Sequence, residues 1–471
     1  MAESPSSSRT TSSGSDFSGP ELAVVVLAAG QGTRMKSRRA KVLHELCGRP
    51  MLGHVLSAAE SLGPERLVVV VGRDAEEVQQ RFAGRCEFVL QAEQKGTGHA
   101  VLQAEPKLAD FDGDVLLLYA DVPLLCSESL LAMRRQKQEE SADLLILTAE
   151  APTIPGRILR DSVGRVERVV EKQDATPEEL AISERNTGVY LLDAQLLRSC
   201  LARLDDSNAQ GELYLTDVVQ LSVGDGKKVS ATLLEDADEC LGINTREELA
   251  DAEAVLRGRI NRRWMEEGVT IVDPACTYID MDVEIGRDTR IEPGCQIIGP
   301  SSIGESCHIK AYTTIESSRL MDEVEIGPNA HLRPNVELGR GVKIGNFVEV
   351  KNSVIGEGTK AAHLTYIGDA DVGAGVNFGC GSVVVNYDGI AKHRTTVGDD
   401  VFVGCNVNLL APLVVQDHSF LAAGSTLNKE VPEHALAVAR AKQRNVEGWG
   451  KRRAAQKEAA QRRKEEEAGG K

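Results

Sequence analysis

Aliphatic residues recur every six positions through the second half of this 471-residue chain. Ile285, Ile291, Ile297, Ile303, Ile309 and Ile315 form one run, and Leu320, Ile326, Leu332, Leu338, Ile344 and Val350 form a second. After a less regular patch the ladder resumes with Val372, Phe378 and Val384, then Val397, Val403, Leu409, Val415, Leu421 and Leu427. A period of six fits neither the 3.6 of a helix nor two-residue strand alternation. A flat alternating sheet would not hold this phase over so many hexads. A short fixed repeat marks a solenoid, here one of short strands meeting at corners with each aliphatic pointing inward. Glycine after the aliphatic, as in Ile285-Gly286, Ile303-Gly304 and Ile344-Gly345, suits tight corners. Three hexads make one triangular coil, so residues eighteen apart stack on neighbouring coils.

The first half is patterned differently. Residues 1–20 are rich in Ser, Thr and Gly and read as a disordered tail. Ala23-Val24-Val25-Val26-Leu27 reads as a buried strand, with others at 67–71, 115–118 and 144–147. Helix-patterned segments at 52–62, 75–82 and 127–140 lie between them. This alternation implies a parallel sheet covered on both faces, an α/β domain over residues 21–245. Ligands of such sheets bind beyond the carboxyl ends of the strands. Residues 246–268 read as one linker helix, the ladder domain spans 269–450, and 451–471 is a mixed-charge tail that reads as a solvated helix.

A net charge of −17 argues against binding to nucleic acid or to an anionic membrane. No apolar run reaches spanning length, and no signal-peptide core is present. The ten cysteines lack Cys-x-x-Cys pairs, which favours reduced thiols over a disulfide framework or zinc site. The expectation is a soluble cytoplasmic protein whose partners are small anions.

Two constellations carry chemistry. Gly30-Gln31-Gly32-Thr33-Arg34 follows the first strand, where backbone N–H groups can approach phosphates. No Gly-Lys-Ser/Thr follows it, and Met35 stands where a dinucleotide fingerprint needs its third glycine. Arg34 and Lys41 add the fixed cations that phosphoryl-type transfer uses, although each alone reads equally as a solvated surface charge. Asp121 lies at a strand end, as a metal ligand or a helix cap. The second constellation interrupts the ladder. Arg333 and Lys351 are eighteen apart and can face one phosphate. His363, Tyr366, Asn377, Asn386, Tyr387 and Lys392 follow, and His363 alone of the nine histidines sits in this cluster. Imidazole, with an ordinary pKa of about 6.5, accepts a proton at neutral pH. Cys380 and Cys405 lie nearby, and Cys is a common small buried filler, so neither is assigned a nucleophilic role.

Leu27-Ala-Ala-Gly-Gln-Gly-Thr-Arg-Met35 and Lys41-Val-Leu-His44 resemble the signature of sugar-nucleotide pyrophosphorylases. With Gln91-Ala-Glu-Gln-Lys-Gly-Thr-Gly-His99, Tyr119-Ala-Asp-Val-Pro123, Asn186-Thr-Gly188, Asn208-Ala-Gln-Gly-Glu212 and His363-Leu-Thr-Tyr-Ile-Gly-Asp369, residues 21–450 resemble the bifunctional N-acetylglucosamine-1-phosphate uridylyltransferase/glucosamine-1-phosphate acetyltransferase family. The resemblance implies an α/β nucleotidyltransferase domain with a Rossmann-like parallel or mixed sheet, followed by a left-handed parallel β-helix of hexapeptide repeats, assembled as a homotrimer. It implies acetyl transfer from acetyl-CoA to glucosamine 1-phosphate, then uridylyl transfer from UTP to N-acetylglucosamine 1-phosphate. The product would supply peptidoglycan and lipopolysaccharide precursors. Leu27, Ala28, Ala29 and Gly30 would hold the nucleotide, with Gln91, Gly96 and Thr97 on the uracil. Arg34 and Lys41 would face the phosphates. Gly156, Glu171 and Asn186 would hold the N-acetylglucosamine moiety, Tyr119 would belong to the same uridylyl site, and Asp121 and Asn244 would hold Mg²⁺. In the second site Arg333, Lys351, Tyr366, Asn377, Asn386 and Lys392 would hold the sugar phosphate. Cys380, Asn386, Tyr387, Cys405, Ala423 and Arg440 occupy the acetyl-CoA positions, and His363 would be the general base.

This chain departs from the family pattern at Ala40, Ala120, Ile154-Pro155, Lys172-Gln173, Ala362, Cys380 and Cys405. Ala120 is expected to add a methyl where backbone meets substrate. A pyrophosphorylase with a purely structural β-helix, or a scaffolding subunit, are the alternative readings.

Overall fold

The computed structural model describes residues 19–72 and 75–469. The expected tail at 1–20 lies, but for residues 19 and 20, outside the described residues. The chain forms two compact units: residues 1–285 with 291–301, and residues 286–290 with 302–471.

The first unit is built on β1 (Leu22–Ala28). Its all-apolar, β-branched run is buried on both faces: Leu22, Val24 and Val26 enter one core and Ala23, Val25 and Leu27 the other. After the short hairpin β2 (Glu45–Leu46) and β3 (Arg49–Pro50) come α1 (Met51–Glu60), β4 (Arg66–Val71), α2 (Ala75–Arg81) and β5 (Glu87–Leu90). Then follow α3 (Thr97–Ala104), β6 (Asp114–Tyr119), α4 (Ser127–Glu140) and β7 (Leu144–Ala149). The hairpin β8 (Arg157–Arg160) and β9 (Val166–Val170), α5 (Pro177–Leu180), β10 (Arg185–Asp193), α6 (Ala194–Leu201), α7 (Asp217–Gly224), β11 (Val229–Leu233) and α8 (Arg246–Glu266) complete it. The sheet order is β11-β7-β10-β6-β1-β4-β5. Neighbours of β1 run parallel to it, but β10 inserts antiparallel between β6 and β7. The sheet is therefore mixed, as the resemblance allowed, although strand–helix alternation alone pointed to a parallel one. Local periodicity does not report strand direction, because a strand buried on both faces reads as one apolar run either way.

Beneath this sheet Lys137 of α4 meets Asp114 of β6 at 2.7 Å, each side chain about 10% exposed. Asp114→Ala strands a buried ammonium and is expected to cost about 3–5 kcal/mol. Urea denaturation checks this, and adding Lys137→Met to that variant is expected to recover most of the loss.

The second unit is a parallel β-helix. Strands of two to four residues stack in three sheets, such as His308–Ile309 on Glu325–Ile326 on Lys343–Asn346. The ladder residues expected to face inward are all buried, from Ile285 at 8% to Ile309, Ile326 and Val403 at 0%. The irregular patch keeps the same core with Ile355, Ala361 and Ile367 as rungs. There the coils shorten to 17 residues, as in Lys343 paired with Lys360, and that slip hid the phase. Asn377 then pairs with Phe402, a coil of 25 residues that includes a loop at 386–394. Beyond Leu427, the last residue of the ladder read from the sequence, Leu436–Ala437 adds one more rung on Phe420–Leu421. The exposed helix α9 (Trp449–Gly469) follows.

Candidate functional site

In the first unit, the loop after β1 and the ends of β5 and β6 surround a cavity of about 400 Å³. Of the expected residues, Leu27, Ala28, Ala29, Gly30, Arg34, Lys41, Gln91, Gly96, Thr97, Tyr119, Asp121 and Asn244 line it. Gly32 takes φ +60°, and a Cβ there would sit 2.6 Å from Lys41 Cβ. Only glycine lets the loop fold so tightly over the lysine.

Lys41 is the centre of this cavity. Its Nζ lies 2.6 Å from Asp121 Oδ2 and 2.7 Å from Asn244 Oδ1. The two oxygens belong to segments 123 residues apart, and the fold locks both. The Ile243 N–H bonds to the Asp121 carbonyl at 2.9 Å. Asn244 precedes Thr245, the N-cap of α8, whose capping box uses Glu248. Glu248 also accepts the Asn244 N–H at 2.6 Å. Two hard oxygens thus converge on one cation-sized position. A carboxylate and an amide oxygen are donors that Mg²⁺ accepts while keeping waters and substrate phosphates as its other ligands, so these residues fit that ion.

On one side of the cavity, Gln91 is buried and donates to the Gly96 carbonyl at 3.2 Å, with His99 Nδ1 3.0 Å away. Thr97 Oγ1 accepts the Leu215 N–H. Gly156, Glu171 and Asn186 do not line the cavity itself but gather beside Tyr119. The Asn186 N–H bonds to the Gly156 carbonyl, and Asn186 Oδ1 accepts from Gly188 N at 3.2 Å. Gly188 has φ +83°, and a Cβ there would strike the Tyr119 ring at 2.6 Å. Burial, with the carboxylates of Asp174 and Asp217, pushes Glu171 above the usual carboxylate range. Sequence reasoning assigned no role to Gln94 or Glu212, which also line the cavity. The motif Asn208–Glu212 was the available signal: Asn208 Oδ1 accepts from the Gln210 and Glu212 N–H groups and folds that loop against the site. Ala120 corrects an expectation. It is fully buried within the hydrophobic core, so its added methyl points away from the cavity.

Asp217 borders the sugar side, and burial plus Asp205 and Asp174 raise its carboxyl to about 6. A carboxyl raised above its unfolded value of about 3.9 contributes stability at low pH that is lost as pH rises through about 6. Asp217→Asn is therefore expected to raise the melting temperature of the ligand-free protein at about pH 7.5 and to leave it nearly unchanged at about pH 4. Differential scanning fluorimetry at both pH values measures this.

In the second unit, Arg333 and Lys351 stack as their spacing implied: the Arg333 N–H bonds to the Val350 carbonyl. Arg333 pairs with Glu349 at 3.1 Å. Lys392 arrives from the loop at 386–394, and its ammonium pushes Lys351 below the usual lysine range. Asn386 donates to Asp369 and reaches Tyr366 Oη at 3.5 Å. Asp369 was part of a quoted motif but had no assigned role. Burial alone would raise its carboxyl, but Asn352 and Asn386 as donors, with Lys351 and Lys392 nearby, hold it low. Tyr387 Oη donates to the Gly389 carbonyl.

His363 ends the strand Lys360–His363 at the corner three residues before Tyr366, paired with Asn346, and it is exposed, its ring bonding to no side chain among the described residues. Asn377 does not join the cation cluster. It lies on the neighbouring sheet, paired with Lys360 and Phe402. Cys380 and Cys405 occupy successive coils there. Arg440 Nη1 donates to the Ala423 carbonyl at 2.8 Å, which brings those two expected residues together.

Residues 24–212 match the MobA-like NTP transferase domain family, and residues 282–317 and 317–352 match the bacterial transferase hexapeptide repeat. Proteins named "Bifunctional protein GlmU" match nearly the whole chain. That of Listeria welshimeri is 48% identical over 446 residues, 91% of this chain and 98% of the relative. Those of Pelobacter propionicus and Geobacillus thermodenitrificans are 48% and 47% identical, covering 98% and 96% of the relatives. At that identity and coverage, with both domain types in order, this chain belongs to the GlmU family of bifunctional proteins.

Proposed function

We propose that this chain makes UDP-N-acetylglucosamine in two steps, acetyl transfer to glucosamine 1-phosphate in the β-helix and uridylyl transfer from UTP in the α/β unit. The observation that carries the reading is the presence of a complete polar constellation in each unit. One gathers Lys41, Asp121 and Asn244 under a glycine loop, and the other gathers Arg333, Lys351 and Lys392, one corner on from His363 through Tyr366 and Asn386.

In uridylyl transfer, a phosphate oxygen of the sugar 1-phosphate attacks the α-phosphorus of UTP and pyrophosphate leaves. No covalent enzyme intermediate is needed, so positioning and charge stabilisation carry the rate. Gln91, Gly96 and Thr97 hold the base, and Glu171, Asn186 and Gly156 hold the sugar. Arg34 and Lys41 neutralise the triphosphate. Asp121 and Asn244 would hold Mg²⁺, which supplies further neutralisation of phosphate charge.

In acetyl transfer, the sugar amine attacks the thioester carbonyl of acetyl-CoA. The N–C bond forms, the C–S bond breaks and CoA leaves as thiolate. His363 takes the amine proton, which then serves the departing sulfur. Arg333, Lys351 and Lys392 grip the sugar phosphate, and Tyr366 and Asn386 its hydroxyls. Cys380, Cys405, Ala423, Tyr387 and Arg440 flank the CoA arm. A purely structural β-helix would have no use for three converging cations one corner on from a histidine.

The working unit in this reading is a homotrimer. Tyr312, Phe347 and Leu364 are 68%, 58% and 57% exposed. They share one corner, each at positive φ, a conformation that costs bulky side chains energy. A line of exposed apolar residues beside His363 suits a second copy of the chain. None of the ten cysteines is in a disulfide, consistent with the cytoplasm. Among the described residues no helix is long and apolar enough to cross a membrane.

An assay with glucosamine 1-phosphate, acetyl-CoA and UTP, reading CoA and pyrophosphate separately, tests the proposal. Both products are expected. Pyrophosphate formed only when N-acetylglucosamine 1-phosphate is supplied, with no CoA released, would leave the β-helix structural.

A further inference from the structure

Cys380 and Cys405 occupy equivalent corners of two successive coils. Asn377 pairs with Phe402 and Phe378 with Val403. The Gly379 N–H bonds to the Val403 carbonyl at 2.8 Å, and the Asn406 N–H bonds to the Cys380 carbonyl at 2.9 Å. The pairing therefore continues through the corner and sets one cysteine directly above the other. The corners share a turn: the residues that follow, Gly381 and Asn406, take φ +76° and +53°. Paired strands lie about 4.8 Å apart, inside the roughly 4.4–6.8 Å Cα separation that a disulfide spans.

The pair is accessible, as are exposed Cys276 and half-buried Cys86 and Cys126, and what sets it apart is the stacking of one thiol on the other. Cys405 is exposed and Cys380 half-buried, whereas Cys47, Cys200, Cys240, Cys295 and Cys307 are buried. Burial pushes the Cys47 thiol up to about 12 and those of Cys86, Cys126 and Cys240 up to about 11, which leaves them poor thiolate nucleophiles. One coil earlier in the same column, the pairing of Ala361 with Phe378 carried through the corner brings His363 beside Cys380.

We propose that Cys380 and Cys405 are a thiol pair that small disulfides oxidise to a disulfide bridging two coils, shutting the acetyl-transfer face next to His363. The Cys405 thiolate attacks the small disulfide, forming a mixed disulfide and releasing one small thiol. The Cys380 thiolate then attacks the Cys405 sulfur and expels the second thiol. The two cysteines lose two electrons and two protons, and the small disulfide gains both. The shut state rests on the acetyl-transfer reading above; the crosslink does not.

Oxidised glutathione on the full-length protein is the test, read by peptide mapping without reduction and by both activities. The expected result is a Cys380–Cys405 crosslinked peptide and a fall of about tenfold or more in acetyl transfer. Dithiothreitol is expected to reverse both, and uridylyl transfer to hold. In the Cys405→Ser chain oxidised glutathione is expected to have no such effect, whatever that chain's starting rate. Absence of the crosslinked peptide, or a crosslinked enzyme that acetylates at full rate, would overturn the proposal. An enzyme that never acetylates but still crosslinks would instead overturn the function reading alone.

Discussion

Replacing His363 by alanine is expected to lower acetyl transfer about 10³-fold, the range a positioned proton acceptor contributes, while uridylyl transfer stays within about twofold. The sugar amine can attack the thioester only after it sheds a proton, and His363 is the imidazole at the corner that leads into Tyr366. Its ring is exposed and, among the described residues, bonds to no side chain, so removal leaves no cavity and no orphaned partner there. The melting temperature is therefore expected to be unchanged, which separates lost chemistry from lost fold. The check is CoA release at saturating substrates, with pyrophosphate measured on the same preparation. Full acetyl transfer by the variant would remove His363 from the mechanism.

Lys41→Ala is expected to act in the opposite half, lowering uridylyl transfer about 10²–10³-fold with acetyl transfer kept. Lys41 is 8% exposed and contacts Asp121 and Asn244 together. Its ammonium therefore sits where triphosphate charge must be met. Charge on the α-phosphoryl oxygens and on the departing pyrophosphate grows towards the transition state, so the loss is expected mainly in kcat rather than KM. Lys41→Arg is expected not to rescue it. The stem passes against Gly32, and a planar guanidinium is larger than the position between the two oxygens. Pyrophosphate release under single-turnover conditions is the measurement. Equal loss of both activities in a folded variant would break the division of labour between the units.

Some of this was readable without coordinates. In a β-helix each short strand sends one residue inward, so the core writes itself into the chain as a six-residue beat, and every residue on that beat is buried. The loop from Gly30 to Arg34 was equally legible, since a run of glycines after a buried strand has few other uses. The residues that reach Lys41 were not legible from spacing. Asp121 and Asn244 meet only because the Ile243 N–H bonds to the Asp121 carbonyl and Glu248 caps α8. Such long-range pairing leaves no local period.

Ala120 shows the same division at one residue. Its motif lies at the site, but side chains alternate about an extended chain, and the turn of Ala120 is to face the core. Lys392 shows it at the scale of a coil. It joins Lys351 because a 25-residue coil loops out at 386–394, whereas Asn377, nearer in sequence, goes to another face. The sequence by itself determined the two architectures, the order of the units and the chemical types at each site, because these follow from periodicity and from residue chemistry. Only the tertiary structure decided that β10 is the strand that runs against its neighbours, which distant oxygens share one cation, and that Cys380 lies beneath Cys405. Those depend on register between segments far apart in the chain, set by hydrogen bonds and packing that no local pattern records.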